Sequence, residues 1–487
     1  MNAGKAGEGP DNFPLFAARM RAAGVNEAAI RAFEYTYRDL LAGNTGLIPE
    51  QAVQPVENLP RMEEVIVEET KPCSPKARTS HLETQASEIL REAAVLKLNG
   101  GLGTSMGLEG AKSLLPAKEG LTFLDFIARS VLHVRETTGV PCQFRLLNSF
   151  STSADTLAFL ERYPELGPPR ELEVMQNQVP KVDAATLAPA QWPKQPQLEW
   201  CPPGHGDLYP ALYGSGQLDL LLRQGVRVLF VSNSDNLGGT LDLGLLRWFL
   251  KSGMPFLMEV AERTDADRKG GHLARREGRL VLRERAQCPE EDLGSFRDVN
   301  RHRYFNTNNV WIRLDSLKEV LEKNGGFLRL PVIRNRKRLD PRDAGSPEVL
   351  QLETAMGAAI ECFEGAGAVV VPRRRFAPVK TTGDLLALWS DAYEVTKDWR
   401  VELAPDGPGR PPVVDLDADH YAFVDQLNES VQGGVPSLKD CVSLTVRGPF
   451  RFRPDNVFRG RVRLENMSRL PCELPPGAYA DCTWVAR

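Results

Sequence analysis

Ala93-Ala94-Val95-Leu96-Lys97-Leu98 runs straight into Asn99-Gly100-Gly101-Leu102-Gly103-Thr104-Ser105-Met106-Gly107, and Lys112-Ser113 follows shortly after. A short, nearly continuous apolar run that ends at glycines has the length and composition of a strand buried on both faces. Glycine lets a backbone approach a ligand closely, and the N–H groups of such a loop can converge on an anion. A buried strand, a glycine loop and then a lysine suit a nucleoside triphosphate on an α/β sheet; the alternative is a tight surface turn. Two familiar phosphate loops are excluded. Ala111 precedes Lys112, so there is no Gly-Lys-Ser/Thr, and the spacing Gly101-x-Gly103-x-x-x-Gly107 is not GxGxxG.

The surroundings fit the same class. Gln143–Asn148, Arg227–Ser232 and Phe256–Val260 read as further strands, and Phe123–Thr137 as an amphipathic helix. Strands separated by helices imply right-handed crossovers and a mainly parallel sheet flanked by helices, hence an α/β domain over residues 91–403. Residues 1–90 form an N-terminal appendage. Within it, Asn12–Ala42 has helical spacing, Val65-Ile66-Val67 reads as a short strand, and a capping-box start at Thr84 opens a helix through Leu90. Ala404–Pro412 is a Pro/Gly linker. Beyond Gly433, short alternating segments punctuated by turns make residues 404–487 a linker and a small, solenoid-like all-β unit. Its exposed ends would favour a second copy of the chain as partner, a homo-oligomer.

Composition narrows the function. The chain has 487 residues, 42% hydrophobic and 25% charged, with net charge −4. No global basic field marks a nucleic-acid binder. The eight cysteines include no CxxC pair, which argues against structural zinc and dithiol chemistry and fits reduced thiols in a cytoplasm. Met1–Pro10 has no apolar signal core, and no long uncharged apolar run marks a membrane span.

Four more segments carry chemistry. Pro202-Pro203-Gly204-His205-Gly206-Asp207 is a rigid turn presenting one imidazole, though a lone histidine is commonly structural. Ser232-Asn233-Ser234-Asp235-Asn236 ends the third strand, at the sheet edge where ligands of open α/β sheets bind. Asp235 there suits Mg²⁺, which takes one or two carboxylates plus substrate phosphates; an Asx-rich turn is the bland alternative. Phe305-Asn306-Thr307-Asn308-Asn309-Val310-Trp311 could offer amides such as Asn308 to sugar hydroxyls, or be an Asn-rich bend. Pro378-Val379-Lys380-Thr381-Thr382 suits phosphate contact, or is surface.

In this order, KLNGGLGTSMG, EWCPPGHGD, FVSNSDNLG, FNTNNVW, QLETAMGAAI and FAPVKTTGDL resemble the eukaryotic-type UTP–glucose-1-phosphate uridylyltransferases, from about Leu90 to the C-terminus. The resemblance implies a nucleotidyltransferase-type α/β centre, a C-terminal β-helix, and UTP and glucose-1-phosphate as substrates with Mg²⁺ as cofactor. It implies that Leu98, Asn99, Gly100 and Gly101 hold the uracil nucleotide and that Lys112 contacts the triphosphate. Gln176 and Gly204 would contact the base, and His205 would approach the glucose-1-phosphate. Asn233, Ser234 and Asp235 would bracket the nucleotide sugar with Asp235 on the metal, and Lys380 would be catalytic.

Three positions depart from the family pattern: Ala111 and Cys201, expected to alter packing only, and His272, expected near the sugar. The rival readings are the same chemistry on galactose- or N-acetylglucosamine-1-phosphate, and a non-catalytic UDP-sugar-binding protein.

Overall fold

Alternation along two neighbouring strands sets the layers. A computed structural model describes residues 11–70, 87–108, 110–264, 267–268 and 270–486. In Ala93–Asn99, Ala93 and Val95 point into one hydrophobic cluster, and Ala94 and Leu96 into another. Val228–Asn233 does the same with Val228 and Phe230 against Leu229 and Val231. Period-two alternation between two apolar layers is what a sheet covered on both faces requires.

Among the described residues the central sheet has ten strands. In chain order they are β1 (Gln54–Pro55), β2 (Ala93–Asn99), β3 (Gln143–Asn148), β4 (Glu173–Met175), β5 (Val228–Asn233), β6 (Phe256–Glu262), β7 (His272–Arg276), β8 (Arg279–Arg283), β9 (Tyr304–Arg313) and β10 (Gly367–Val370). The continuous path is β1-β7-β9-β5-β2-β3-β4, with β6 branching from β9 and carrying β10 on its far side, and β8 branching from β7. β5, β2, β3 and β4 are mutually parallel. Following every pairing, only β1, β8 and β9 run against the other strands, so the sheet is mixed and mainly parallel. The helix expected from Phe123 spans Phe123–Thr138. It opens on a capping box between Thr122 and Asp125 and ends at Gly139 with φ 67°, so its orphan N–H and C=O groups are met locally.

The N-terminal region differs from expectation. Asn12–Ala42 is two helices, Phe13–Ala22 and Glu27–Leu41. Val65-Ile66-Val67 is not a strand but lies within the helix Met62–Thr70. Glu63 and Glu64 favour the helix N-terminus, and Met62 and Val65 are buried one turn apart with Ile66 packed beside them. The helix start expected at Thr84 lies outside the described residues. Phe16, Phe33 and Tyr37 of the first two helices pack on Val179, Cys201, Val332 and Leu352. They therefore brace a small antiparallel sheet of Val182–Asp183, Val332–Arg338 and Glu348–Thr354.

After residue 412 every strand pairing is parallel: Leu444 faces Val462, Leu464 faces Trp484 and Asn456 faces Gly477. One hydrophobic cluster runs from Phe144 and Phe230 of the sheet to Leu444 and Phe458 of this unit. The C-terminal strands are thus packed directly on the α/β centre. Among the described residues no helix is long and apolar enough to cross a membrane.

Candidate active site

The parallel strands end at one edge, and there the glycine loop folds back on itself. Leu102 bridges Ala111, and the Lys112 N–H donates to the Gly101 carbonyl at 3.3 Å, which returns Lys112 to the mouth of β2. Gly100 lies close to a neighbour: a Cβ there would sit 2.6 Å from Gln176 Oε1 and push that side chain aside. The Asn99 carboxamide turns inward, donating to Asn148 Oδ1 at 2.7 Å and to Thr156 Oγ1 at 2.9 Å. That amide group holds the loop in place and is turned away from the cleft.

Gln176 joins two walls. Its Nε2 donates to the Gly204 carbonyl at 2.8 Å. Gly204 has φ 82°, and a Cβ on it would lie 2.5 Å from the Thr354 carbonyl, so no other residue fits. The turn delivers His205 with Nδ1 accepting from the Met356 N–H at 2.9 Å. A neutral ring so held carries its proton on Nε2. Burial, and secondarily the Lys380 charge, lower the His205 pKa to about 4. Below it, burial raises the Asp207 carboxyl to about 7, against hydrogen bonds from Asn177.

The third wall is the end of β5. Ser234 N–H donates to the Leu98 carbonyl at 3.1 Å, locking the Asp235 loop to the glycine loop. Lys112 Nζ lies 2.7 Å from Asp235 Oδ2, and Asp235 Oδ1 is buried without a partner. No group of three or more His, Cys, Asp and Glu stands ready for a metal among the described residues. A single carboxylate with an orphaned oxygen fits a hard cation whose other ligands come from substrate, not a protein cage.

These walls enclose a cleft of about 370 Å³. Ten of the thirteen residues expected at the site line it; Asn99, Asn308 and Lys380 do not. Lys380 is exposed at the side. Its charge acts on His205 and on Glu284, whose carboxyl burial pushes up. The Val379 N–H donates to the Asp235 carbonyl at 3.2 Å, so the lysine follows directly on a strap attached to the Asp235 loop. Asn308 sits at a register shift in β9 with φ 59°, its Oδ1 accepting from Asn306 Nδ2 at 2.8 Å. The segment is neither a bend nor a loop but the middle of a strand. Asn309, beside it, is buried against Glu259.

Five wall residues lie outside the expected set: Leu147 at the end of β3, Pro202 beside the His205 turn, Cys201, Gln351 and Glu353. Gln351 and Glu353 alternate on Glu348–Thr354, so both face the cleft. They belong to the quoted QLETAMGAAI, where period-two spacing was the available signal. Cys201, expected to alter packing only, also forms part of the wall, and burial pushes its thiol up to about 12. His272, expected near the sugar, does not line the cleft. It is fully buried, stacked on His302 with ring centroids 3.8 Å apart.

Comparison with known proteins agrees with this geometry. A profile of the family described as UTP–glucose-1-phosphate uridylyltransferase matches residues 42–459. The Saccharomyces cerevisiae protein of that name is 39% identical over 393 residues, covering 80% of this chain and 77% of its own length. The Solanum tuberosum protein is 37% identical over 400 residues, 81% of each chain. The crystal structure of a Trypanosoma brucei UDP-glucose phosphorylase has a TM-score of 0.88 at 47% identity, covering 98% of this chain and 100% of that one. A mutant Leishmania major UDP-glucose pyrophosphorylase, solved in complex with UDP-glucose, has a TM-score of 0.90 at 47% identity, covering 98% and 100%.

Proposed function

The chain belongs to the UTP–glucose-1-phosphate uridylyltransferase family, and on that premise we propose that its cleft joins UTP to glucose-1-phosphate, giving UDP-glucose and pyrophosphate. The observation that carries this reading is the convergence of the glycine loop, the His205 turn and the Lys112–Asp235 pair on one cleft.

The chemistry joins two polyanions. A phosphate oxygen of the sugar phosphate attacks the α-phosphorus of UTP in line, and pyrophosphate leaves. The nucleophile is ionised at neutral pH, so positioning and charge neutralisation do the catalytic work. The site suits that demand: His205 is neutral and held as a donor, not as a base. Leu98, Gly100, Gly101 and the Asn99 backbone hold the nucleotide, with Gln176 and Gly204 at the base. Asn233 and Ser234 meet the nucleotide sugar, and His205 meets the sugar phosphate, with Asn308 on the hexose side. Lys112 and Lys380 stabilise the charge that builds on the phosphates. Asp235 would hold Mg²⁺ through its unpartnered oxygen, and the cation would supply further neutralisation of the phosphates.

The same reading proposes a nucleotidyltransferase centre over residues 91–403, with the N-terminal helices of 1–90 as a brace and 404–487 as a linker and short β-helix. Exposed Met467, Leu470 and Val485 support self-association through that last unit. A cytoplasmic location is proposed from the free cysteines. The test is Lys380→Met: turnover falls by about 10²–10³-fold while UTP still binds by calorimetry. Near-normal turnover would remove the lysine from the mechanism.

A further inference from the structure

Asn236 follows Asp235 directly, yet it does not line the cleft, and only 1% of it is exposed. Its carboxamide is used on both sides. Oδ1 accepts from the Ala377 N–H at 3.0 Å, and Nδ2 donates to the Arg375 carbonyl at 3.1 Å and to Asn309 Oδ1 at 3.3 Å. The two bonds to Arg375 and Ala377 fall on alternate main-chain groups of the strap that leads to Lys380.

The strap is anchored unevenly. At its start the Arg375 guanidinium makes two bonds to Glu259, at 2.9 and 2.6 Å, and one to the Thr240 carbonyl at 2.9 Å. Glu259 is fully buried and is also bonded by Trp311 and Asn309. This fixes Arg375 to the sheet. Beyond it, Phe376 meets Phe305 edge-on, and Val379 bonds the Asp235 carbonyl. Ala377 has its amide held by Asn236. Lys380 itself has an exposed side chain on a flexible stem, so where its ammonium can reach depends on where the strap lies.

We propose that Asn236 is a positioning residue for the transfer reaction: its carboxamide clasps the Lys380 strap to the Asp235 loop and so sets the lysine against the carboxylate across the reacting phosphates. Only an amide supplies, from one Cγ, an acceptor for the Ala377 N–H and a donor for the Arg375 carbonyl. Aspartate keeps the acceptor and sets a second oxygen against a carbonyl; alanine loses both. Because the Asn236 carboxamide bonds no residue that lines the cleft, its loss leaves the substrate-binding walls in place and displaces the strap with its lysine. A misplacement of about 1 Å can cost up to about 10²-fold in rate.

The inference rests on the reading of Lys380 given above, and a double-mutant cycle separates the two. Expected for Asn236→Ala is a kcat lowered by about 10- to 10²-fold, with KM for UTP and for glucose-1-phosphate within about twofold of wild type. In the Lys380→Met background the same change costs less than about twofold further, because the group it positions is gone. UTP affinity by calorimetry verifies that the cleft is intact. If Asn236→Ala does not fold, Asn236→Asp is read in the same two backgrounds. Equal losses in both backgrounds would overturn the proposal, as would a raised KM at unchanged kcat. Near-normal turnover of Lys380→Met alone would overturn the parent reading and this one with it.

Discussion

Lys112 Nζ stands 2.7 Å from one carboxylate oxygen of Asp235, while the other oxygen is buried with no hydrogen-bond partner. A buried acceptor left unpaired costs about 1–3 kcal/mol, a cost that a cation held with substrate phosphates would remove. The two residues lie far apart in sequence, on the loops after β2 and β5, so the pair marks where the glycine loop meets the Asp235 loop.

Asp235→Asn is expected to lower kcat by about 10²–10³-fold and to raise the Mg²⁺ concentration needed for half-maximal rate. A Mg²⁺ titration of pyrophosphate release measures it. An unchanged midpoint would assign Asp235 to Lys112 alone.

Gly100→Ala and Gly204→Ala should separate binding from folding. The Cβ at Gly100 meets the movable end of Gln176, so KM for UTP rises by about tenfold with little change in Tm. At Gly204 the added Cβ meets the Thr354 backbone at positive φ, so unfolding is easier by about 1–3 kcal/mol. Equal Tm values for the two variants would contradict this.

Burial keeps His205 neutral above about pH 4, so it does not set the acid limb of the rate profile. That limb belongs to the sugar phosphate, whose second ionisation lies near pH 6 by analogy with other phosphate monoesters. His205→Asn should lower kcat/KM and leave the limb in place. Its disappearance in the variant would make His205 the titrating group.

His272 and His302 govern stability, not rate. Burial lowers both, and the His302 ring is pulled back up by Glu50, 3.0 Å from its Nε2. Unfolded, each titrates near 6.5. Between the folded and unfolded values the unfolded chain binds more protons, so the contribution of these two rings to stability falls as pH drops below about 6.5. Burial raises the Asp207 and Glu361 carboxyls to about 7, and these act in the opposite sense over the same window, so the test is a difference: from pH 7.5 to 5 the wild-type Tm should fall relative to that of His272→Thr. Parallel profiles for the two proteins would refute this.

Much of this is legible in the sequence alone. Ala93 to Leu98 could be read as a buried strand because both of its faces are apolar, and the glycines marked the loop by composition. What escaped depends on tertiary partners. Whether Asn99 meets a ligand or Asn148 is decided by a residue on the next strand. Val65-Ile66-Val67 has strand propensity, but burial of Met62 and Val65 beside the helix Leu243–Ser252 selects a helical stripe. The pairing of Lys112 with Asp235, the burial of His272 and the clasp made by Asn236 leave no local pattern to read.

The most direct measurement is pyrophosphate release from UTP with Mg²⁺, comparing glucose-1-phosphate, galactose-1-phosphate and N-acetylglucosamine-1-phosphate. Release preferred with glucose-1-phosphate and abolished by a chelator is the expected result. Preference for another sugar would keep the mechanism and change the substrate. Release with none of the three would contradict the uridylyl-transfer assignment and leave a UDP-sugar-binding protein.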